Sequence, residues 1–99
     1  MPYLIEYCEE ARRHLRGLTA AQRSLVVQSI DEQLVHQPAV PARNRKEMLA
    51  NCLARWELRV RNLRVFYNVF EEPEPAVAIR AIGIKVGNKV LIEGEEVEL

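Results

Sequence analysis

The sequence has 99 residues, of which 48% are hydrophobic and 28% are charged, and its 14 basic side chains balance its 14 acidic ones. This composition is typical of a soluble globular protein, and the length suffices for one hydrophobic core. No apolar stretch approaches the roughly 20 residues of a membrane span, and the N-terminus lacks the basic and apolar segments of a signal peptide. We therefore expect a single domain, residues 1–99, in the cytoplasm.

The residues that usually bind metals or form disulfides are scarce. The sequence contains two cysteines, Cys8 and Cys52, and two histidines, His14 and His36. These are too few for a disulfide scaffold, and none has the spacing of zinc ligands. We expect reduced thiols, no metal site and no other cofactor.

The first third of the chain predicts a strand followed by two helices. Alternation over residues 3–7 indicates the strand, and a short helix then begins at Cys8 and ends at Gly17. Thr19 is the first residue of a capping box, so a second helix begins there and runs to about Val35. Two helices joined by a tight turn are expected to form a hairpin on one side of a sheet.

Residues 56–70 alternate with period two on both sides of Arg61 and Asn62. We expect two strands joined by a two-residue loop, in which Asn62 tolerates a positive φ. The apolar pairs on one side of this hairpin are Trp56 with Tyr67, Leu58 with Val65, and Val60 with Leu63. On the other side Arg59 lies opposite Arg64, and like charges in that position cost up to about 1 kcal/mol. Either an anion binds between the two arginines or both are simply solvated.

The remaining segments predict further strands, turns and basic loops. The run from Arg43 to Lys46 is either a solvated loop or a phosphate-contacting one, and residues 47–51 can form one helical turn. A proline-containing turn at 71–75 precedes a strand over 76–84. Alternation puts Val77, Ile79 and Ala81 on one face of that strand, and Ala78, Arg80 and Ile82 on the other.

The C-terminal segment combines a basic loop with an acidic tail. Residues 83–89 form a glycine-containing basic loop that carries Lys85 and Lys89, and residues 90–92 form a short strand. The acidic tail, residues 93–98, either continues as a terminal strand, which is the simpler expectation, or folds over the basic face.

The order of the elements and the amino-acid sequences of these segments resemble those of the RelE/ParE superfamily, the toxins of bacterial type II toxin–antitoxin modules. The most specific matches are residues 56–60 and 63–69, and residues 79–85 support them, as do the early helix at 9–15 and the basic run at 43–46. The resemblance implies an α+β fold with the order β-α-α-β-β-β(-β). A two-helix hairpin packs on one face of a small, mainly antiparallel sheet, and the other face is a groove.

The resemblance also implies a toxin whose partner is an antitoxin encoded in an adjacent gene. In RelE-like members the groove cleaves messenger RNA in the ribosomal A site, whereas ParE-like members inhibit DNA gyrase without enzymatic activity. The first alternative, a ribosome-dependent endoribonuclease that binds the ribosome and mRNA, is the function we expect. The others are a gyrase inhibitor and a decayed toxin that acts only as an antitoxin-binding module.

The family's functional positions can be carried over onto single residues. Its basic groove positions fall on Arg59, Arg64 and Lys85, but a further basic position falls on Glu57. The C-terminal tyrosine or histidine that aids proton transfer falls at or near Leu91, which cannot transfer a proton. We expect Arg64 to bind the phosphate in the transition state with Arg59 and Lys85 beside it, and Glu57 to act as a base or to pair with an arginine. Further phosphate contacts are expected from Arg61, Arg80, Lys89, Arg45 and Lys46.

Overall fold

The computed structural model describes residues 2–51 and 53–98, so Cys52 lies outside the described residues. The elements along the chain are β1 (Leu4–Tyr7), α1 (Glu9–Arg16), α2 (Ala20–Leu34), β2 (Arg45–Glu47), β3 (Trp56–Val60), β4 (Leu63–Phe70), β5 (Ala76–Val86), β6 (Lys89–Ile92) and β7 (Glu95–Val97). None of the helices in this part of the chain is long and apolar enough to cross a membrane.

The strands form one mainly antiparallel sheet in the order β2-β3-β4-β5-β6-β7. Strand β1 is parallel to β5 and lies along the first part of its free edge, whereas β6 lies along the last part of the same edge. The two helices pack on one face of the sheet, which confirms the predicted fold class. Strand β7 continues the sheet beyond β6, so the described part of the acidic tail forms a terminal strand, as expected.

The helix boundaries follow from local capping. The Thr19 side chain accepts a hydrogen bond from the Gln22 backbone N–H at 3.1 Å, and the Gln22 side chain accepts one from Thr19 N–H at 3.0 Å. The predicted capping box is therefore present. Cys8 precedes α1 without a capping hydrogen bond from its side chain, and Gly17 ends that helix. Both helix boundaries agree with the sequence.

The β3–β4 hairpin has the predicted register. Arg59 lies opposite Arg64, and the Trp56 and Tyr67 rings stack with their centroids 6.2 Å apart. The prediction for the loop was wrong in one respect, because Arg61 rather than Asn62 has a positive φ, of 56°. Arg64 donates a hydrogen bond to the Arg61 carbonyl at 2.6 Å, which helps to hold this left-handed residue in place.

The predicted helical turn at 47–51 is also wrong. Strand β2 pairs with β3 up to Glu47, and an irregular loop follows it. In that loop the Asn51 side-chain oxygen accepts hydrogen bonds from the backbone N–H groups of Leu53 at 2.8 Å and Ala54 at 3.0 Å. An asparagine that bonds the backbone ahead of it favours a turn over a helix, which explains the difference.

Strand β5 contains a bulge that interrupts its alternation. Phe66 pairs with Ala81 and Tyr67 with Ile79, so Arg80 is an extra residue without a partner on β4. The prediction that Ala81 shares a face with Ile79 is therefore wrong: Ala81 packs with Phe66, whereas Ile79 and Ile82 lie in the core beneath the helices. A bulge reverses the facing of every later residue in a strand.

Helix α1 covers the free edge of β5 at this bulge, between β1 and β6. The Cys8 thiol donates to the Arg80 carbonyl at 3.2 Å, and the His14 Nδ1 atom accepts from the Ile82 N–H at 3.1 Å. Both contacts replace hydrogen bonds that a neighbouring strand would otherwise provide. The two side chains thus satisfy backbone groups of β5 that lack a neighbouring strand.

Candidate functional site

The face of the sheet opposite the helices carries a group of five charged residues that we call the charged cluster. Sheet register brings its members together: Lys46 lies opposite Glu57, Arg59 lies opposite Arg64, and Lys85 lies two residues beyond the partner of Arg64 on β5. Side chains directly opposite each other in a sheet are about 5 Å apart at Cβ, and diagonal neighbours about 7 Å. The cluster thus contains four cations and one carboxylate.

Arg64 lies at the centre of this cluster and is only 8% exposed. Its Nη1 atom donates to the carbonyl of Arg61 at 2.6 Å and to that of Leu63 at 2.8 Å. Within the described residues Arg64 forms no ion pair, and its other guanidinium nitrogens have no hydrogen-bond partner. A guanidinium that is fixed at one nitrogen and unpaired at the others can bind an oxyanion without rearranging.

Gly83 lies opposite Arg64 on β5 and lets β6 come close. A Cβ atom at this position would lie 2.9 Å from the Leu91 carbonyl oxygen and 3.0 Å from Cγ1 of both Val90 and Ile92. Strand β6 can therefore pack beside the cluster only because residue 83 has no side chain.

Glu57 is paired with its neighbour on the same strand. The Arg59 Nε atom lies 3.1 Å from Glu57 Oε1, and Glu57 is 8% exposed whereas the Arg59 side chain is 46% exposed. Of the two roles weighed for Glu57, the structure shows the ion pair. Its second carboxylate oxygen is the one candidate proton acceptor within the charged cluster.

Two of the remaining predicted cations lie close to Arg64. The Lys85 backbone N–H donates to the Asn62 carbonyl at 2.7 Å, so Lys85 lies beside the β3–β4 turn with its side chain exposed. Arg61 lies in that turn and is exposed as well. The structure therefore brings Arg61 and Lys85 to the same end of the charged cluster.

Arg45 and Lys89 lie away from the cluster. Arg45 is opposite the core residue Leu58 and donates to the Val40 carbonyl at 3.0 Å and to Gln33 Oε1 at 2.7 Å. These contacts attach β2 to the end of α2 on the helix side. Lys89 pairs with Glu96 at 3.8 Å on the β6–β7 hairpin.

Arg80 is exposed at the β5 bulge and lines a separate hollow of about 330 Å³ together with Leu53, Ile92 and Glu95. The structure does not place it between Arg59 and Arg64. Leu91 lies opposite Ile84, whose side chain packs against the helix-side core, so a proton donor at position 91 would point away from the cluster.

Sequence reasoning missed a second polar group, on the helix side of β5. The carboxylate of Glu93 accepts two hydrogen bonds from Arg13, each 3.0 Å long, and lies 3.4 Å from Nε2 of the buried His14. Burial lowers the pKa of His14, and the hydrogen bond from Arg13 lowers the pKa of Glu93. The available signal was the spacing of Ala11 and His14, which puts both on the buried face of α1.

The charged cluster is better suited to bind an anion than to transfer a proton. Arginine and lysine bind phosphate oxygens by charge-assisted hydrogen bonds, and the one carboxylate is already paired. Among residues 2–51 and 53–98, no three His, Cys, Asp or Glu side chains are placed to hold a metal ion together.

Comparison with known proteins relates the fold to that of a solved toxin–antitoxin complex. No protein-family model and no curated protein matches the sequence. Among solved structures, the chain is similar to a chain of the toxin–antitoxin complex RelBE2 from Mycobacterium tuberculosis, with a TM-score of 0.73 and 22% sequence identity. The match covers 86% of this chain and 100% of that chain. The protein therefore has the RelE-like fold expected from its sequence.

Proposed function

We propose that this protein is the toxin of a bacterial type II toxin–antitoxin module and that its charged cluster binds RNA phosphate. One observation carries the proposal: Arg64 is buried, hydrogen-bonded to two carbonyls and without an ion-pair partner among the described residues, while Arg59 and Lys85 flank it. A buried, unpaired cation is costly in a protein, and an anionic ligand removes that cost. The fold shared with a chain of a toxin–antitoxin complex supports the same assignment.

The reaction we propose is cleavage of messenger RNA on the ribosome, in the cytoplasm. Such cleavage requires a proton to leave the 2′-hydroxyl, the negative charge on the phosphorane to be offset, and the 5′-oxygen to gain a proton. The planar guanidinium of Arg64 suits the second task, because it pairs with two phosphate oxygens and stays charged. Glu57 is the candidate base. An enzyme with so few proton-transfer groups would depend on the ribosome to position its substrate.

The proposal includes an antitoxin as the partner that controls the cluster. A segment with carboxylates facing Arg59 and Arg64 would neutralise the cluster and exclude RNA from it. Such a segment would be complementary to these cations in the same way as the RNA phosphate that it replaces.

The test is expression of the gene alone from a tight promoter, with sequencing of mRNA ends and measurement of translation. We expect translation arrest and cuts within open reading frames. Arg64→Ala should lower the cleavage rate about a hundredfold to a thousandfold, because one transition-state contact is lost. Arg12→Ala, an exposed arginine on α1, is the matched control and should leave the arrest unchanged.

Two outcomes would contradict the proposed roles, the first that of Arg64 and the second that of Arg59. One is growth arrest by Arg64→Ala at wild-type strength and equal expression. The other is an Arg59→Ala variant that folds normally and cleaves as fast as the wild type. Circular dichroism of both variants shows whether activity was lost with the phosphate contact or with the fold. This control matters most for Arg64, which is buried, whereas the Arg59 side chain is 46% exposed.

A second candidate function is inhibition of DNA gyrase without catalysis. The observation that favours it is the pairing of Glu57 with Arg59, which leaves the cluster without a free acid–base pair. This function predicts filamentation and a DNA-damage response while translation is initially intact. Expression without any effect on growth would contradict both toxic functions and leave only an antitoxin-binding module.

A further inference from the structure

A hollow of about 320 Å³ lies next to the charged cluster, where β2 and β3 meet the loop that follows β2. Its lining residues are Lys46, Glu47, Met48, Leu49, Glu57 and Arg59. Leu49 is 91% exposed and lies at the rim of the hollow. The Asn51 side chain donates to the Leu49 carbonyl at 2.7 Å and holds this part of the loop in place. The hollow therefore combines two apolar side chains, Met48 and Leu49, with charged ones.

The polar side of this hollow is a carboxylate with one oxygen still available. Glu57 is 8% exposed, and its Oε1 atom accepts a hydrogen bond from Arg59 at 3.1 Å. Its second oxygen has no hydrogen-bond partner in the described part of the chain. Among the described residues, the Tyr7 hydroxyl is the only side-chain polar atom that is fully buried and has no hydrogen-bond partner. The unpartnered oxygen of Glu57 is therefore not fully buried and is accessible to solvent. Glu57 thus presents an open acceptor, and Lys46 lies directly opposite it on β2.

We propose that this hollow binds one unstacked base of the RNA and prefers guanine. The proposal rests on the RNA-binding function proposed above, and it assigns the Glu57 carboxylate to the base contact in place of proton removal from the 2′-hydroxyl. Unstacked bases in RNA complexes lie against apolar or aromatic side chains and against arginine guanidinium planes. Here Met48 and Leu49 form the apolar side, and Arg59 offers its guanidinium.

The preference for guanine follows from the donors and acceptors of the hollow. The guanine edge presents two adjacent N–H donors. The ionised Glu57 carboxylate can accept one at its unpaired oxygen and the other at Oε1, which keeps a free lone pair beside its bond from Arg59. The guanine oxygen accepts from the ammonium of Lys46. Adenine and cytosine present one amino donor on this edge. Uracil presents one N–H between two oxygens, and one of these oxygens would face the carboxylate. The same charges therefore disfavour uracil.

The experiment measures binding of the full chain to four fluorescent pentanucleotides by anisotropy. Each has 2′-O-methyl riboses, which block the attacking hydroxyl, and uracil bases except at the centre, which is guanine, hypoxanthine, adenine or uracil. We expect the guanine oligomer to bind about tenfold more tightly than the uracil oligomer, which is in the range of a good bidentate base contact. Hypoxanthine, which lacks the guanine amino group, should be intermediate.

Three variants separate the base contact from general RNA binding. Glu57→Gln should abolish the guanine preference, so that the guanine and uracil oligomers bind with equal affinity. Glu74→Gln, an exposed carboxylate in the β4–β5 turn, is the matched control and should keep the preference. Leu49→Ala should weaken binding to all four oligomers by the same factor, because it removes apolar contact without changing the polar edge.

The outcomes distinguish this inference from the proposed function. Equal affinity of the wild type for all four oligomers overturns the base contact and leaves RNA binding standing. Failure to bind any oligomer overturns this inference, whereas the proposed cleavage on the ribosome is tested separately by the sequencing of mRNA ends. An unchanged preference in Glu57→Gln overturns the role of Glu57. If that variant does not fold, equal binding of guanine and hypoxanthine by the wild type overturns the role of the amino group without any variant.

Discussion

Replacing Gly83 with alanine tests how closely β6 approaches the strand that carries Lys85. The added Cβ would lie 2.9 Å from the Leu91 carbonyl oxygen and 3.0 Å from Cγ1 of Val90 and of Ile92. Non-bonded carbon atoms prefer a separation of about 3.5–4.0 Å, so all three contacts are too short. The carbonyl oxygen belongs to the backbone and cannot rotate away. Overpacking of this kind typically costs about 1–3 kcal/mol.

A domain of about this size loses roughly 4–8 °C of Tm for each kcal/mol, so we expect Gly83→Ala to lower Tm by roughly 5–20 °C. Thermal unfolding followed by far-UV circular dichroism measures this change. Gly17→Ala is the matched control, since its φ is −80° and its nearest contact would be an ordinary 3.5 Å to the His14 carbonyl oxygen. That substitution should be neutral or stabilising by about 0.4–1 kcal/mol.

The contrary result is a Gly83→Ala variant that unfolds at or above the wild-type Tm while Gly17→Ala behaves as expected. Such a result would mean that β6 lies further from β5 than the structure places it.

Three further predictions concern contacts that hold the fold around the site. Tyr67→Phe removes a buried 2.7 Å hydrogen bond from the Tyr67 hydroxyl to the Pro38 carbonyl and should lower the free energy of unfolding by about 1–3 kcal/mol in urea titrations. Thr19→Ala removes the cap of α2 and should cost about 1 kcal/mol by the same measurement. Burial lowers the pKa of His14 below its ordinary value of 6.5. At a pH below about 6.5 the unfolded chain therefore binds a proton at His14 more readily than the folded chain does. The stability contributed by the neutral His14 should be lost as the pH falls through this range. His14→Asn, which can keep an acceptor for the Ile82 N–H but does not titrate, should therefore show a flatter pH dependence of Tm between pH 7.5 and 5.

Each of these predictions has a clear contrary result. A Tyr67→Phe variant as stable as the wild type would mean that water or another donor satisfies the carbonyl of Pro38. A Thr19→Ala variant with unchanged stability would show that the capping box does not limit α2. Parallel pH profiles for the wild type and His14→Asn would place the titrating group elsewhere in the protein.

The β3–β4 hairpin shows how much of the site can be predicted from sequence. Period-two alternation on both sides of a two-residue loop is a local pattern, and it predicted the register that sets Arg59 opposite Arg64. The resemblance to a toxin family then drew attention to the same two arginines and to Lys85. The functional roles of these residues stay predictions, and the experiments above test them.

The basic run after Pro41 shows where such prediction fails. Arg45 and Lys46 are adjacent in sequence, and the sequence alone treats them as equivalent cations in one loop. In the sheet they point to opposite faces, so Arg45 binds Gln33 on the helix side while Lys46 joins Glu57 in the charged cluster. Only the pairing of β2 with β3 separates them, and that pairing joins segments too far apart for a local pattern to specify.

By itself the sequence determined the elements that depend on near neighbours: the capping box at Thr19, the helix end at Gly17 and the hairpin register. The tertiary structure decided the rest. The sequence does not reveal the bulge at Arg80, because the residues around it are mostly apolar. A mostly apolar run fits a half-buried strand with or without one extra residue. Lys46 and Lys85 join the arginine pair only because β2 and β5 pair with the two strands of the hairpin, and that pairing is a property of the whole fold.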